Sequence, residues 1–193
     1  MLAHYHGQTV NLSEIARSLL ISDKTVRHYL DILAGTFMVR LLQPWFENIA
    51  KRQVKAPKLY FRDSGILNFL LSIQTEQDLY AQPRLGAFWE GYALEEIIRF
   101  FNASDEAFFW GTHADAELDL LLFRNGKRIG FEFKYADIPK TTKSMHSAIQ
   151  DLQLDHLYII YPSHQTTSQP FSLQKKITAC TLEDIINNKV NNA

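Results

Sequence analysis

A single cysteine, Cys180, stands in 193 residues. One thiol cannot close an internal disulfide, which fits a reducing cytoplasm. No apolar run approaches the ~18 residues that a membrane span needs, and no charged-then-apolar leader opens the chain. The segment around Ile15 and Leu20 is broken by Arg17 and Ser18. A soluble, cytoplasmic protein with no membrane partner is expected. A surplus of either charge is missing too. The net charge is −1, so the whole molecule is not the basic body of a typical nucleic-acid binder. Residues 1–80 hold nine Lys/Arg against seven Asp/Glu, and residues 81–193 eleven against fourteen. What is present is an apolar content of 46%, enough for a packed core in one large domain or two small ones. Basic charge is concentrated locally, in Lys51, Arg52, Lys55 and Lys58, with Arg62 close behind.

Residues 12–39, LSEIARSLLISDKTVRHYLDILAGTFMV, read as helix, short turn, helix. Ser13 is placed to cap the first helix and Ser22 the second, with Asp23 favourable in the first turn. Val26, Tyr29, Leu30 and Leu33 follow the i, i+3, i+4, i+7 rule and predict the buried stripe. Gly35 closes the helix. The opposite face carries Lys24, Thr25, Arg27 and His28. This is the layout of a helix-turn-helix, whose second helix can meet base edges and phosphates. Strands are expected over 37–45 and 57–63, joined by the basic stretch FENIAKRQVKA. A helix-turn-helix with a basic hairpin is a winged helix, a fold that serves DNA and protein contacts alike. An apolar helix over 66–73 follows. The polar segment 74–84 makes a domain boundary, giving one domain over 1–80 and a second over 81–193.

Residues 85–101, LGAFWEGYALEEIIRFF, predict a helix on which Glu90 shares a face with Leu94, Ile97 and Phe101. Such a carboxylate either reaches water at the boundary or has a Lys, Arg or cation partner, because burying it unpaired is costly. Three strand-like runs follow, over 107–113, 116–123 and 127–135. Between the last two, Asn125-Gly126 is the strongest short-range signal of a two-residue hairpin turn.

In GFEFKY (130–135), Phe131, Phe133 and Tyr135 point one way, and Glu132 and Lys134 the other. That charged face is either solvated or half of a site. If Arg124 pairs with Lys127, then Leu121 faces Gly130, Asp119 faces Glu132 and Glu117 faces Lys134. Directly opposed side chains have Cβ atoms ~4.5–5.5 Å apart, and like charges there are destabilising. A proton or a cation between Asp119 and Glu132 would relieve that. Two carboxylates suit Mg2+ or Mn2+, with Lys134 beside the ion and Glu90 completing the cluster. The plain alternative is a routine Glu117–Lys134 pair on a solvated face. A helix over 140–155, a buried strand over 156–162, an edge strand over 177–182 and a last helix over 182–190 complete an α/β fold with a mixed central sheet. His4-x-His6 and His113-x-Asp115 lack the further ligands that a structural zinc site needs.

Glu90, Asp119 and Glu132-Phe133-Lys134 together resemble the signature of the restriction-endonuclease-like, or PD-(D/E)XK, nuclease superfamily. That signature is an acid on the first helix, an Asp on the second strand and Glu-x-Lys on the third. More specifically, KAPKLYFRDSGILNFLL, FWEGYALEEIIR, AELDLLL and GFEFKYAD resemble the C-terminal half of a large prokaryotic family of AAA-type ATPases with an uncharacterised C-terminal domain. The resemblance covers essentially the whole chain. Members of that family usually begin with a P-loop ATPase domain, but G-x-x-x-x-G-K-[ST] does not occur here. No ATP site is therefore expected in this chain, and an ATPase domain in cis or trans is an expected partner. The resemblance implies a restriction-endonuclease-like α/β domain after the winged helix. In it Asp119, Glu132 and the Phe133 carbonyl would hold Mg2+ or Mn2+, Lys134 would orient the attacking water, and Glu90 would act through a water or a second ion. DNA would be held by Lys24, Thr25, Arg27 and His28 and by the wing residues Lys51, Arg52 and Lys55. The rival reading is a non-catalytic nucleic-acid- or partner-binding module that regulates an ATPase, with a vestigial acidic cluster.

Overall fold

A computed structural model describes residues 1–114, 116–162 and 169–187. Among these, nine strands and seven α-helices form an α/β protein. Its contacts divide into two compact units, Met1–Gln43 with Ala56–Tyr92, and Pro44–Lys55 with the chain from Ala93 onward. The units are thus interleaved along the sequence, with changes of unit at 43/44, 55/56 and 92/93.

The first unit opens with a 3-10 turn, Leu2–Tyr5, followed by β1 (Gln8–Thr9), α1 (Leu12–Leu19) and α2 (Asp23–Gly35). β2 (Val39–Pro44) and β3 (Lys58–Phe61) come next, then α3 (Ser64–Leu70) and α4 (Glu76–Tyr80). β3 lies between β1 and β2, antiparallel to both. The cap of α1 is Asn11, whose Oδ1 accepts the Glu14 N–H at 3.2 Å. Ser13, expected in that place, lies inside the helix and donates its hydroxyl to Asp23 at 2.6 Å. Ser22 caps α2 as expected, accepting the Thr25 N–H at 3.1 Å. The turn between the helices has no glycine, and Leu20 takes a left-handed conformation with φ 56°.

The stripe of α2 is narrower than its spacing predicts. Val26 and Leu30 are buried and Leu33 is half-buried, while Tyr29 is 58% exposed. The core they enter is small, built with Ile15, Ala16, Val39, Leu59 and Phe61. An i, i+4 pair is enough to cover it, and a bulky ring on the flank of the stripe stays outside.

α5 (Leu85–Phe100) has its residues up to Tyr92 in the first unit and those from Ala93 in the second. In the second unit follow β4 (Ala107–Gly111), β5 (Glu117–Arg124), β6 (Lys127–Phe133), α6 (Lys143–Asp151) and β7 (His156–Ile160). β8 (Phe171–Gln174), β9 (Ile177–Cys180) and α7 (Leu182–Ile186) complete it. The strands are ordered β4-β5-β6-β7-β9-β8. β6, β7 and β9 run parallel and the other pairs antiparallel, so the sheet is mixed. The strand expected at an edge, β9, lies inside the sheet, flanked by β7 and by β8. β8 is short and mostly exposed, and its alternation, Phe171-Ser172-Leu173-Gln174, is too brief to announce a strand. The expected last helix reaches beyond Ile186 into positions outside the described residues.

Both faces of the central strands are buried. Phe131 stacks on Tyr158 with ring centroids 5.6 Å apart. On the opposite side, Gly130 leaves room for methyl groups of Leu154, Leu157 and Leu118, which a Cβ would meet at 2.8, 2.9 and 3.2 Å. Alternation therefore identified β6 as a strand, but its second face is a packed layer rather than water.

Candidate metal-dependent active site

The site is built on the β5–β6 hairpin. Asn125 and Gly126 both have positive φ, 49° and 76°, as a two-residue turn of this kind requires. The turn sets the expected register: Arg124 pairs with Lys127, Phe123 with Arg128, Leu121 with Gly130 and Leu120 with Phe131. One step further the strands part. The N–H of Phe133 goes to a side chain, donating to Asp119 Oδ2 at 3.0 Å. The N–H of Lys134 donates to the Ile160 carbonyl at 2.9 Å, beside the parallel partner β7. β6 thus leaves one neighbour for the other, and Asp119 fills the acceptor position that opens at the fork.

Glu132 and Asp119 come together there, 4% and 7% exposed. The Lys134 ammonium lies 2.8 Å from Glu132 Oε2 and 3.9 Å from Asp119 Oδ2. On the charged face of GFEFKY, Glu132 is buried while the Lys134 side chain is 37% exposed. Burial, and after it the charge of Asp119, push the Glu132 carboxyl up to about 8; the Lys134 ammonium opposes the shift but does not cancel it. The two buried carboxyl groups supply hard oxygen donors of the kind a divalent cation takes, and the Lys134 ammonium shares those oxygens. Among the described residues, no group of three or more His, Cys, Asp or Glu is placed to hold a metal.

Sequence reasoning passed over Ser144. Its Oγ accepts the N–H of Glu117 and donates to the carbonyl of the same residue, each at 2.8 Å. That tethers the first turn of α6 to the start of β5, two residues before Asp119. A contact between positions 27 apart leaves no spacing signal.

Glu90 lies in the first unit, where it has partners of its own. The Tyr60 hydroxyl donates to its Oε1 at 2.5 Å, and the Lys58 ammonium is 3.6 Å from the same oxygen. Lys24, Arg27 and His28 are exposed on α2, and Thr25 is half-buried with its hydroxyl bonded to that of Ser22.

The basic stretch expected as a wing is instead part of the second unit. The Trp45 N–H donates to Phe109 O at 2.7 Å, and the Val54 N–H to Gly111 O at 2.9 Å. Gln53 Oε1 accepts from the Trp110 indole at 3.0 Å, and Glu47 forms an ion pair with Arg128. Lys51 is paired with Asp151 at 2.6 Å, while Arg52 and Lys55 are exposed.

The zinc patterns lead elsewhere. Asp115 lies outside the described residues. His6 is buried, and its Nδ1 accepts the Phe61 N–H at 3.0 Å, so that nitrogen is already used. Burial pushes His6 down to about 4. Its neutral form is therefore favoured by folding: the stabilisation is complete above the unfolded value near 6.5 and drains away as pH falls from there towards 4. Comparing urea melts of the parent and His6→Asn, whose amide oxygen can still accept the Phe61 N–H, should show the parent losing about 3 kcal/mol relative to the variant between pH 7 and 4. An unchanging difference would show that His6 takes up its proton without cost.

The sequence matches two known domain families and uncharacterized relatives. The family described as "Domain of unknown function (DUF4143)" matches residues 85–184, and "Domain of unknown function (DUF8612)" matches residues 1–77. Uncharacterized proteins of Mycobacterium bovis and Mycobacterium tuberculosis are each 44% identical over 186 residues, covering 96% of this chain and 41% of their own length. The chain thus spans about two fifths of the length of these curated relatives. No solved structure matches it at a significant level.

Proposed function

The chain belongs to the DUF4143 family, a domain found in AAA-ATPase-associated proteins, and from that premise we propose that it is a metal-dependent DNA phosphodiesterase whose N-terminal unit holds the substrate. The observation that carries the reading is the buried Asp119–Glu132 pair with Lys134, gathered where β5 and β6 part. Asp119, Glu132 and the Phe133 carbonyl would hold Mg2+ or Mn2+. Such an ion, when bound, acidifies a coordinated water and polarises a phosphate oxygen. Lys134 orients the attacking water and offsets the charge that grows on the phosphate. Asp119 does a second job in keeping the Phe133 backbone in place.

The order β1-β3-β2 behind the capped pair α1 and α2 supports a winged-helix reading of the first unit, with Lys24, Arg27 and His28 offered to phosphates and bases. Arg52 and Lys55 would add phosphate contacts from the second unit. An ATPase in cis or trans is the proposed partner.

A non-catalytic, regulatory module is the second reading. It is favoured by the pairing of Lys51 with Asp151 and by the want of a third acidic ligand among the described residues. The deciding experiment offers single-stranded, duplex and branched DNA to the protein with Mg2+, with Mn2+ and with chelator. Metal-dependent nicking of any form supports the phosphodiesterase. Binding whose affinity falls steeply with salt, with no cleavage under any condition, supports the module instead.

A further inference from the structure

The fork between β5 and β6 holds the Asp119 and Glu132 carboxyl groups with the Lys134 ammonium against both. We propose that Lys134 is the resident cation of this site in the metal-free protein, and that a divalent ion enters by displacing its ammonium towards solvent. The inference rests on the metal-site reading above and adds a competitor to it.

Three observations carry it. First, Lys134 reaches both acids, at 2.8 Å from Glu132 and 3.9 Å from Asp119, the position of a counter-ion to the pair. Buried carboxylates left without a cation are strongly destabilising, so this contact holds the fork together. Second, the two cations exclude each other. A Mg2+-sized ion sits within about 2.1 Å of its carboxylate oxygens, and an ammonium on the same oxygens would be repelled at close range in a poorly screened setting. Third, only one of the three groups has a way out. The Glu132 and Asp119 side chains are 5% and 10% exposed, whereas that of Lys134 is 37% exposed. Its long stem lets the head swing to water while the methylenes stay packed. The released ammonium is also free to meet an incoming phosphate, which couples metal loading to anion capture.

The test titrates Mn2+ into the full chain by calorimetry and records metal-free melting for the parent, Lys134→Met and Lys134→Arg. Lys134→Met should lower the metal-free melting temperature by several degrees and bind Mn2+ about tenfold more tightly, because the competitor is gone. Lys134→Arg keeps a cation with a bidentate fork, so its metal-free melting should stay near the parent and its Mn2+ affinity should be equal or weaker. Equal Mn2+ affinity in the parent and Lys134→Met, with both binding, overturns the displacement and leaves the metal site standing. Mn2+ binding by neither overturns both. Should Lys134→Met fail to fold, tighter Mn2+ binding by Lys134→Arg than by the parent overturns the displacement on its own.

Discussion

Asp119→Asn should fold, keep or slightly raise its metal-free stability, and lose metal-dependent cleavage by about three orders of magnitude, the scale on which preorganised charge at a reacting phosphate acts. The substitution separates the two jobs of the residue. An amide oxygen can still accept the Phe133 N–H that the carboxylate takes at 3.0 Å, so the fork persists. The charge is removed, and with it the repulsion that helps to push the Glu132 carboxyl up to about 8. In the parent, Mn2+ at a hundred times its Kd should stabilise the fold by about 2.7 kcal/mol, since an ion that binds only the folded state shifts the equilibrium by mass action. In Asp119→Asn that gain should nearly vanish. Thermal melts with and without Mn2+, set beside a cleavage assay, check both parts. A metal-dependent gain that survives the substitution would place the ion elsewhere.

A chain of residues 81–193 alone should not fold as the second unit does, although it contains every residue of the DUF4143 match. It lacks Pro44–Lys55, which packs as part of that unit. Without this segment the Trp110 indole loses Gln53, Arg128 loses the Glu47 carboxylate, and the carbonyls of Phe109 and Gly111 lose the N–H groups of Trp45 and Val54. The Trp45 ring, packed on Phe123 with centroids 4.6 Å apart, is lost as well. Burying those polar groups without partners costs about 1–3 kcal/mol each, and together this exceeds the margin on which a domain of this size rests. Calorimetry of the fragment should show no cooperative transition, and a peptide of residues 44–55 added in excess should restore one. A fragment that melts cooperatively without the peptide would reduce the segment to a surface loop.

How much of this was legible in advance follows from the distance over which each feature is decided. Asn125-Gly126 announced the hairpin and its register because a two-residue turn is set by the φ values its own residues tolerate, and pairing then propagates strand to strand. Ser22 announced the start of α2 for the same reason, as a cap reaches only three residues along the chain. The pair Asp119 and Glu132 followed from that register, so the two acids of the candidate site could be brought together on paper.

Where the cap of α1 falls was already less certain, since Asn11 and Ser13 both suit the role and only packing chooses where the helix begins. The departure of β6 from β5 depends on β7, a parallel partner that arrives through α6 more than twenty residues later. The burial of Glu132 and the 2.8 Å contact with Lys134 depend on the layer that closes over that face. The place of Pro44–Lys55 in the second unit depends on strands some sixty residues onward. The chain by itself determined the α/β class, the hairpin and its register as far as Leu120 and Phe131, because local conformational preference and a period of two suffice for those. Tertiary structure decided which faces are dry, where strands part and which cation stands between the acids, because burial and charge pairing are properties of neighbours that only the folded chain assembles.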